Sequence, residues 1–218
     1  MTEASEKLQQ SSYRGLYLVT PDWDDTQKLL AVSEAALAGG AALLQYRHKT
    51  ADAALRLTQA RALLALCRRF DCPFIVNDHV ELCLEIGADG VHVGGTDAAV
   101  ASVRTQIGPA LILGASCYGD LDLAKQAHAD GASYVAYGGF YPSRVKKYPV
   151  TTPETIIASS QAEVPLPVVV IGGMTPENAA PLVAAGTDMV AAISSVYLAD
   201  DPQRAATQFV QLFRNEIG

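Results

Sequence analysis

Four times the chain repeats one phrase: a glycine, small residues, a short apolar run, then polar or glycine-rich residues. The copies are Gly40-AALLQYRHK, Gly87-ADGVHVGGTD, Gly131-ASYVAYGGFYPS and Gly186-TDMVAAISS. A glycine placed this way stops a helix, because it takes the left-handed conformation beyond the last turn at little steric cost. The apolar run after it reads as a buried strand. The polar residues then fall at the strand's C-terminal end, the edge that carries chemistry in a parallel α/β barrel.

Similar runs recur along the chain: GLYLVT (15–20), ALLQY (42–46), FIVN (74–77), GVHV (90–93), LILGAS (111–116), YVAY (134–137), PVVVIG (167–172) and DMVAAI (188–193). Helix-like segments rich in Ala, Leu, Gln, Glu and Arg separate them. In the longest, 51–70, Leu55, Ala62, Leu66 and Cys67 fall near helical spacing, with Arg56, Gln59 and Arg68 on other faces. Pro153, Pro176 and Pro202 stand where first helical turns begin. Eight strands alternating with helices predict an α/β chain folded as a single (β/α)8 TIM barrel. The repeated phrase marks strands two, four, six and eight, a period suited to two βα units. An open doubly wound sheet would carry a GxGxxG turn after an early strand, and none is present.

Half of the 218 residues are hydrophobic and 18% are charged, which suits a compact core. The polar residues 1–12 read as a disordered tail, and 13–218 as the catalytic barrel domain. The net charge of −7 argues against broad nucleic-acid binding. No apolar run is long enough to span a membrane. Cys67, Cys72, Cys83 and Cys117 form no CxxC pair, so a reducing, cytoplasmic setting is expected. An anion site in so acidic a chain must be built locally.

In ALLQYRHK, strand parity puts Leu43, Gln45 and Arg47 on one face and Tyr46 and His48 on the other. Lys49 continues the first series into the loop. A polar and then cationic inward series fits a phosphate-type ligand, the alternative being an ion pair in the barrel mouth. Asn77 shares the inward parity of Ile75, and Asp78 opens the next loop. Asp97 reaches the same edge after strand four, as a helix N-cap or as a second carboxylate. Two carboxylates beside cations suit Mg²⁺ with a diphosphate. Ser116 or Cys117 ends strand five, with no histidine nearby in sequence to activate either.

The loop GGFYPSRVKKYP after strand six carries Arg144, Lys146 and Lys147, able to close over phosphate or to stay solvated. Paired glycines after strand seven, with Ser194 and Ser195 preceding a short helix after strand eight, match the recurrent phosphate position of barrels. His48, His79, His92 and His128 show no metal spacing, and His92 reads as a hydrogen-bonded core residue. Tyr134, Tyr137 and Tyr141 read as packing residues with hydroxyls at the rim.

These pieces, in this order and over nearly the whole chain, resemble the thiamine phosphate synthase family. Its QxRxK stands as Gln45, Arg47 and Lys49; its ND as Asn77-Asp78; and its DGVHxGxxD as Asp89 through Asp97. Its GxS stands as Gly114-Ala115-Ser116, its YPTxTK as Tyr141 through Lys146, and its IGG…N as Ile171-Gly172-Gly173…Asn178. The resemblance implies a Mg²⁺-dependent transferase that moves a hydroxymethylpyrimidine unit from its diphosphate to a thiazole phosphate. It implies Arg47, Lys49, Asn77 and Lys146 on the diphosphate, Asp78 and Asp97 on the metal, and Gln45 and Ser116 at the pyrimidine. Ser143, the backbone near Val145, Gly173, Ile193 and Ser194 are implied on the thiazole phosphate. Arg47, Lys49, Lys146 and Ser116 are the residues expected to act in catalysis. A homodimer is compatible with this inventory.

The chain departs from the family pattern at Gly95, Cys117-Tyr118, Gly139 and Val145, and His48 replaces a common glutamate on the outward parity. Three rivals remain. A thiazole tautomerase would lack the diphosphate and metal set and needs a histidine where Tyr118 stands. A non-catalytic thiazole-phosphate-binding barrel would have lost turnover. A phosphate-binding isomerase needs a clear acid/base pair.

Overall fold

A computed structural model describes residues 13–94, 100–142 and 151–214. Eight parallel strands close into a barrel in sequential order. They are β1 (Gly15–Val19), β2 (Leu43–Tyr46), β3 (Phe74–Asn77), β4 (Gly90–Gly94), β5 (Ile112–Tyr118), β6 (Tyr134–Gly138), β7 (Val168–Ile171) and β8 (Met189–Ala192). Each lies within two residues of its expected span. The helices around them are α1 (Thr26–Ala38), α2 (Ala53–Arg69), α3 (Val80–Ile86), α4 (Val100–Ile107), α5 (Leu121–Ala129), α6 (Thr155–Glu163), α7 (Pro176–Ala184), α8 (Ser194–Tyr197) and α9 (Pro202–Arg214). No helix among the described residues is long and apolar enough to cross a membrane.

The repeated glycines behave as the phrase requires. Gly40, Gly87, Gly131 and Gly186 all have positive φ, between 69° and 97°. Each turns the chain from a helix into the next strand, where a side chain would be strained. Helix starts are set by side-chain caps: Asp25, Asp52 and Asp120 accept from backbone N–H groups of α1, α2 and α5. Thr175 and Asn178 form a reciprocal capping box ahead of α7.

Strand alternation divides the apolar residues into two cores. Outward positions such as Leu18, Leu44, Val76, Val91, Leu113 and Val170 pack under the helices. Inward positions, among them Tyr17, Leu43, Ile75, Ile112, Tyr134, Val169 and Met189, fill the barrel interior. Gln59, which helical spacing places on another face than Leu55, Ala62, Leu66 and Cys67, is fully buried. It accepts from the Tyr46 hydroxyl at 2.9 Å and donates to the Trp23 carbonyl at 2.9 Å, because a phenol buried between sheet and helix needs an acceptor. One expectation is corrected here: of the tyrosine hydroxyls expected at the rim, those of Tyr134 and Tyr137 are placed elsewhere. Tyr134 points to the barrel axis, and Tyr137 points outward to Ser160 at 2.9 Å.

Leu63, fully buried on α2, and Leu84, about half exposed on α3, make a matched pair. Leu63→Ala should cost about 2–5 kcal/mol in urea unfolding. Leu84→Ala should stay within about 0.5 kcal/mol of the unsubstituted protein.

Candidate active site

All eight strands contribute to one cavity of about 450 Å³ at the C-terminal end of the barrel. Its wall carries Gln45, Arg47, Lys49, Asn77, Asp78, Ser116, Gly173, Ile193 and Ser194, nine of the residues singled out from sequence. The remaining four, Asp97, Ser143, Val145 and Lys146, lie outside the described residues, as do Gly95, Arg144 and Lys147. The inward parity of Gln45, Arg47 and Asn77 therefore holds, as does the outward parity of His48. The His48 Nδ1 accepts from the Ala51 N–H at 3.1 Å behind the sheet.

One side of the mouth is ionic. Asp78 sits just past β3 in a left-handed conformation, φ 61°, which aspartate tolerates. Its Oδ2 accepts from Lys49 Nζ at 2.5 Å and from Asn77 Nδ2 at 2.7 Å. Its Oδ1 accepts no hydrogen bond among the described residues, so one hard oxygen remains for a cation such as Mg²⁺. The Lys49–Asp78 pair is partly exposed, with side chains 51% and 33% accessible. Such a pair contributes at most about 1 kcal/mol. A polyanion and a divalent ion can therefore replace it at little cost.

Asp22, unassigned from sequence, organises the cations. It lies 3.3 Å from Arg47 Nη1 and accepts from the Lys49 backbone N–H at 2.8 Å. Thr20 adds a reciprocal pair: its hydroxyl donates to the Arg47 carbonyl at 2.9 Å and accepts from the Arg47 N–H at 2.8 Å. The end of β2 is thus pinned to the end of β1. The signal available in sequence was an acidic cluster directly after a strand.

Among the described residues, the opposite side carries no charged side chain. Gly172 and Gly173 have φ 118° and 63°. A side chain on Gly173 would collide with the Pro142 carbonyl, so the loops after β6 and β7 touch there. Ser194 opens the short α8 rather than preceding it. Ser195 Oγ is buried with no hydrogen-bond partner among the described residues. A buried hydroxyl left this way fits a polar ligand at this end.

At the floor, the structure supplies a neighbour that the sequence did not reveal. His92, on β4, faces the cavity, and its Nε2 lies 2.9 Å from Ser116 Oγ on β5. The pairing register sets Gly94 opposite Ser116, which leaves His92 one inward position deeper. His92 is both hydrogen-bonded, as expected, and part of the cavity wall. Its Nδ1 meets the Tyr134 hydroxyl at 2.9 Å. Cys117 points away from the cavity, and burial pushes its thiol up to about 12. The sequence shift at Tyr118 has a structural counterpart: the β5–β6 register slips between Ser116 and Tyr118, and Tyr118 joins the wall.

Residues 16–196 match the family model described as thiamine monophosphate synthase. A thiamine-phosphate synthase of Janthinobacterium sp. (strain Marseille) is 68% identical over 93% of this chain and 98% of that protein. One of Thiobacillus denitrificans is 49% identical over 93% of this chain and 96% of its own length. Among solved structures, thiamine phosphate pyrophosphorylase from Pyrococcus furiosus superposes with a TM-score of 0.84. It is 30% identical and covers 95% of this chain and 99% of that one.

All four thiols are buried and unbridged, and burial also raises Cys83, to about 11. The folded protein should therefore resist iodoacetamide at pH 8, and mass spectrometry should find four alkylated cysteines only after denaturation.

Proposed function

The chain belongs to the thiamine monophosphate synthase family, and from that premise we propose that its cavity joins a pyrimidine diphosphate to a thiazole phosphate. The observation that carries this reading is the division of the mouth. A cationic and carboxylate side, Arg47, Lys49, Asn77 and Asp78, faces a backbone-lined side at Gly173, Ile193 and Ser194. One side suits a diphosphate with its metal and the other a monophosphate.

In the proposed reaction the C–O bond to the diphosphate breaks, and its electron pair leaves with the diphosphate. The thiazole nitrogen then supplies its lone pair to the cationic methylene carbon, forming the C–N bond. The products are thiamine phosphate and diphosphate, plus CO₂ when the thiazole is carboxylated. Arg47, Lys49 and Asn77 hold the departing diphosphate where its charge grows, the term that dominates such transfers. Lys146 is assigned the same role from sequence. Gln45 and Ser116 orient the pyrimidine. Ser143, the backbone near Val145, Gly173, Ile193 and Ser194 hold the thiazole phosphate.

Mg²⁺ would be held by Asp78 together with Asp97. The Oδ1 of Asp78, which accepts no hydrogen bond among the described residues, and the oxygen-only donor set fit that ion. When bound it would offset charge on the diphosphate oxygens. No protein nucleophile is needed, in keeping with the outward, unactivated Cys117. A tautomerase reading is weaker, since Tyr118 stands where that activity needs a histidine. Four unbridged cysteines suit a reducing compartment, and we assign the enzyme to the cytoplasm on that ground.

Purified protein with both substrates and Mg²⁺ should form thiamine phosphate, read by mass spectrometry, and chelation should stop it. Asp78→Ala should lower kcat/KM at least about a hundredfold while leaving the thermal midpoint nearly unchanged. Normal turnover in that variant would remove Asp78 from the metal site.

A further inference from the structure

A continuous run of hydrogen bonds crosses the barrel beneath the cavity. Gln45 Nε2 donates to the Tyr17 hydroxyl at 2.6 Å. Tyr17 Oη lies 2.7 Å from Tyr134 Oη, which lies 2.9 Å from His92 Nδ1. His92 Nε2 lies 2.9 Å from Ser116 Oγ. The run starts at one residue assigned to the pyrimidine and ends at the other. Its three middle members have no assigned role.

We propose that Tyr17, Tyr134 and His92 form a relay of fixed polarity that holds His92 as its neutral Nε2–H tautomer and directs the Ser116 hydroxyl as a donor into the cavity. Among the described residues, the polarity follows from counting hydrogens. A phenol has one. The Tyr17 oxygen receives the Gln45 amide, so the Tyr17 hydrogen goes to Tyr134. The Tyr134 hydrogen then goes to His92 Nδ1, which must be the bare nitrogen. The imidazole proton sits on Nε2 and is given to Ser116 Oγ. With its oxygen accepting, Ser116 turns its own hydrogen to the ligand. Both phenols are fully buried, and burial raises them far above neutrality, so neither ionises to break the count.

The packing is specific to this arrangement. Tyr17 and Tyr134 meet edge to face at 5.9 Å, and the Tyr134 ring stacks on His92 at 5.6 Å. Gly114 lies directly against this joint. A Cβ there would collide with the Tyr134 ring and hydroxyl and with His92 Nδ1. The glycine of the Gly114-Ala115-Ser116 motif thus makes room for the relay.

At the other end, the Gln45 Oε1 has no hydrogen-bond partner among the described residues. The floor therefore presents an acceptor at Gln45 and a donor at Ser116. That pair complements an aminopyrimidine edge, an amino N–H beside a ring nitrogen. This selectivity rests on the proposed pyrimidine site, whereas the relay itself does not. Tyr17, Tyr134 and His92 are positioning residues, acting on the substrate through Gln45 and Ser116.

Reverse polarity is a distinct state. The Gln45 amide would turn over, His92 would carry its proton on Nδ1, and Ser116 would donate to His92 instead of the ligand. Long-range ¹⁵N NMR of histidine-labelled protein at neutral pH separates the two, with His92 identified by the signals lost in His92→Gln. Neutral Nε2–H is expected in the unsubstituted protein. Protonation at Nδ1, or at both nitrogens, would overturn the proposal whatever Tyr134→Phe does. Tyr134→Phe should spread His92 over both tautomers. It should also raise KM for the pyrimidine diphosphate about tenfold, the loss of one ordinary hydrogen bond. KM for the thiazole phosphate should stay within about twofold. An unchanged tautomer, or equal losses for both substrates, would overturn the relay. The NMR reading needs no substrate, so a failure to make thiamine phosphate would count against the proposed function and not the relay.

Discussion

Strand β1 is hydrogen-bonded to β2 on one side and to β8 on the other, with Tyr17 opposite both Leu43 and Ala191. That closure governs the rest of the molecule. A closed parallel sheet has no free edge, so no strand can slip by one residue without exchanging its interior and exterior side chains. Each inward position is then committed to the barrel axis, and each strand end to a common rim. Gln45, Asn77 and Ser116 converge on one cavity because closure leaves them no other direction.

Filling the axis with polar side chains has a cost that only mutual hydrogen bonding offsets. Tyr17, Tyr134 and His92 meet that requirement among themselves and with Gln45 and Ser116. The apolar residues around them, Leu43, Ile75, Val169 and Met189, keep water from competing. Above this floor the balance changes. The Asp22, Arg47, Lys49 and Asp78 contacts are partly exposed and individually weak, which suits groups that must release one another for a ligand. The site is therefore rigid below, where a ring would be oriented, and exchangeable above, where charge would be bound.

Much of this was legible in the chain. Strand spans, barrel order and inward parity follow from short apolar runs with period two and from glycines that end helices, both local properties. The cationic series Gln45, Arg47 and Lys49 was readable for the same reason, since parity alone assigns its face. Local pattern left the burial of Gln59 unread, because the phenol that demands its acceptor comes from another element. It misled at Tyr134, where nothing nearby in sequence revealed a partner 117 positions away.

The sequence by itself determined the barrel, the edge where chemistry belongs and the family, because these rest on spacing along one chain. Only the tertiary structure decided that His92 meets Ser116, that Asp22 holds the end of β2, and that Gln45 reaches Ser116 through three buried side chains. Those contacts depend on pairing register and on which rings fit together across the axis. Gly114 matters there for the space it leaves to Tyr134 and His92, two side chains from neighbouring strands. Hydrogen-bond direction and steric room are properties of atoms brought together by closure, and they have no signature in the order of residues.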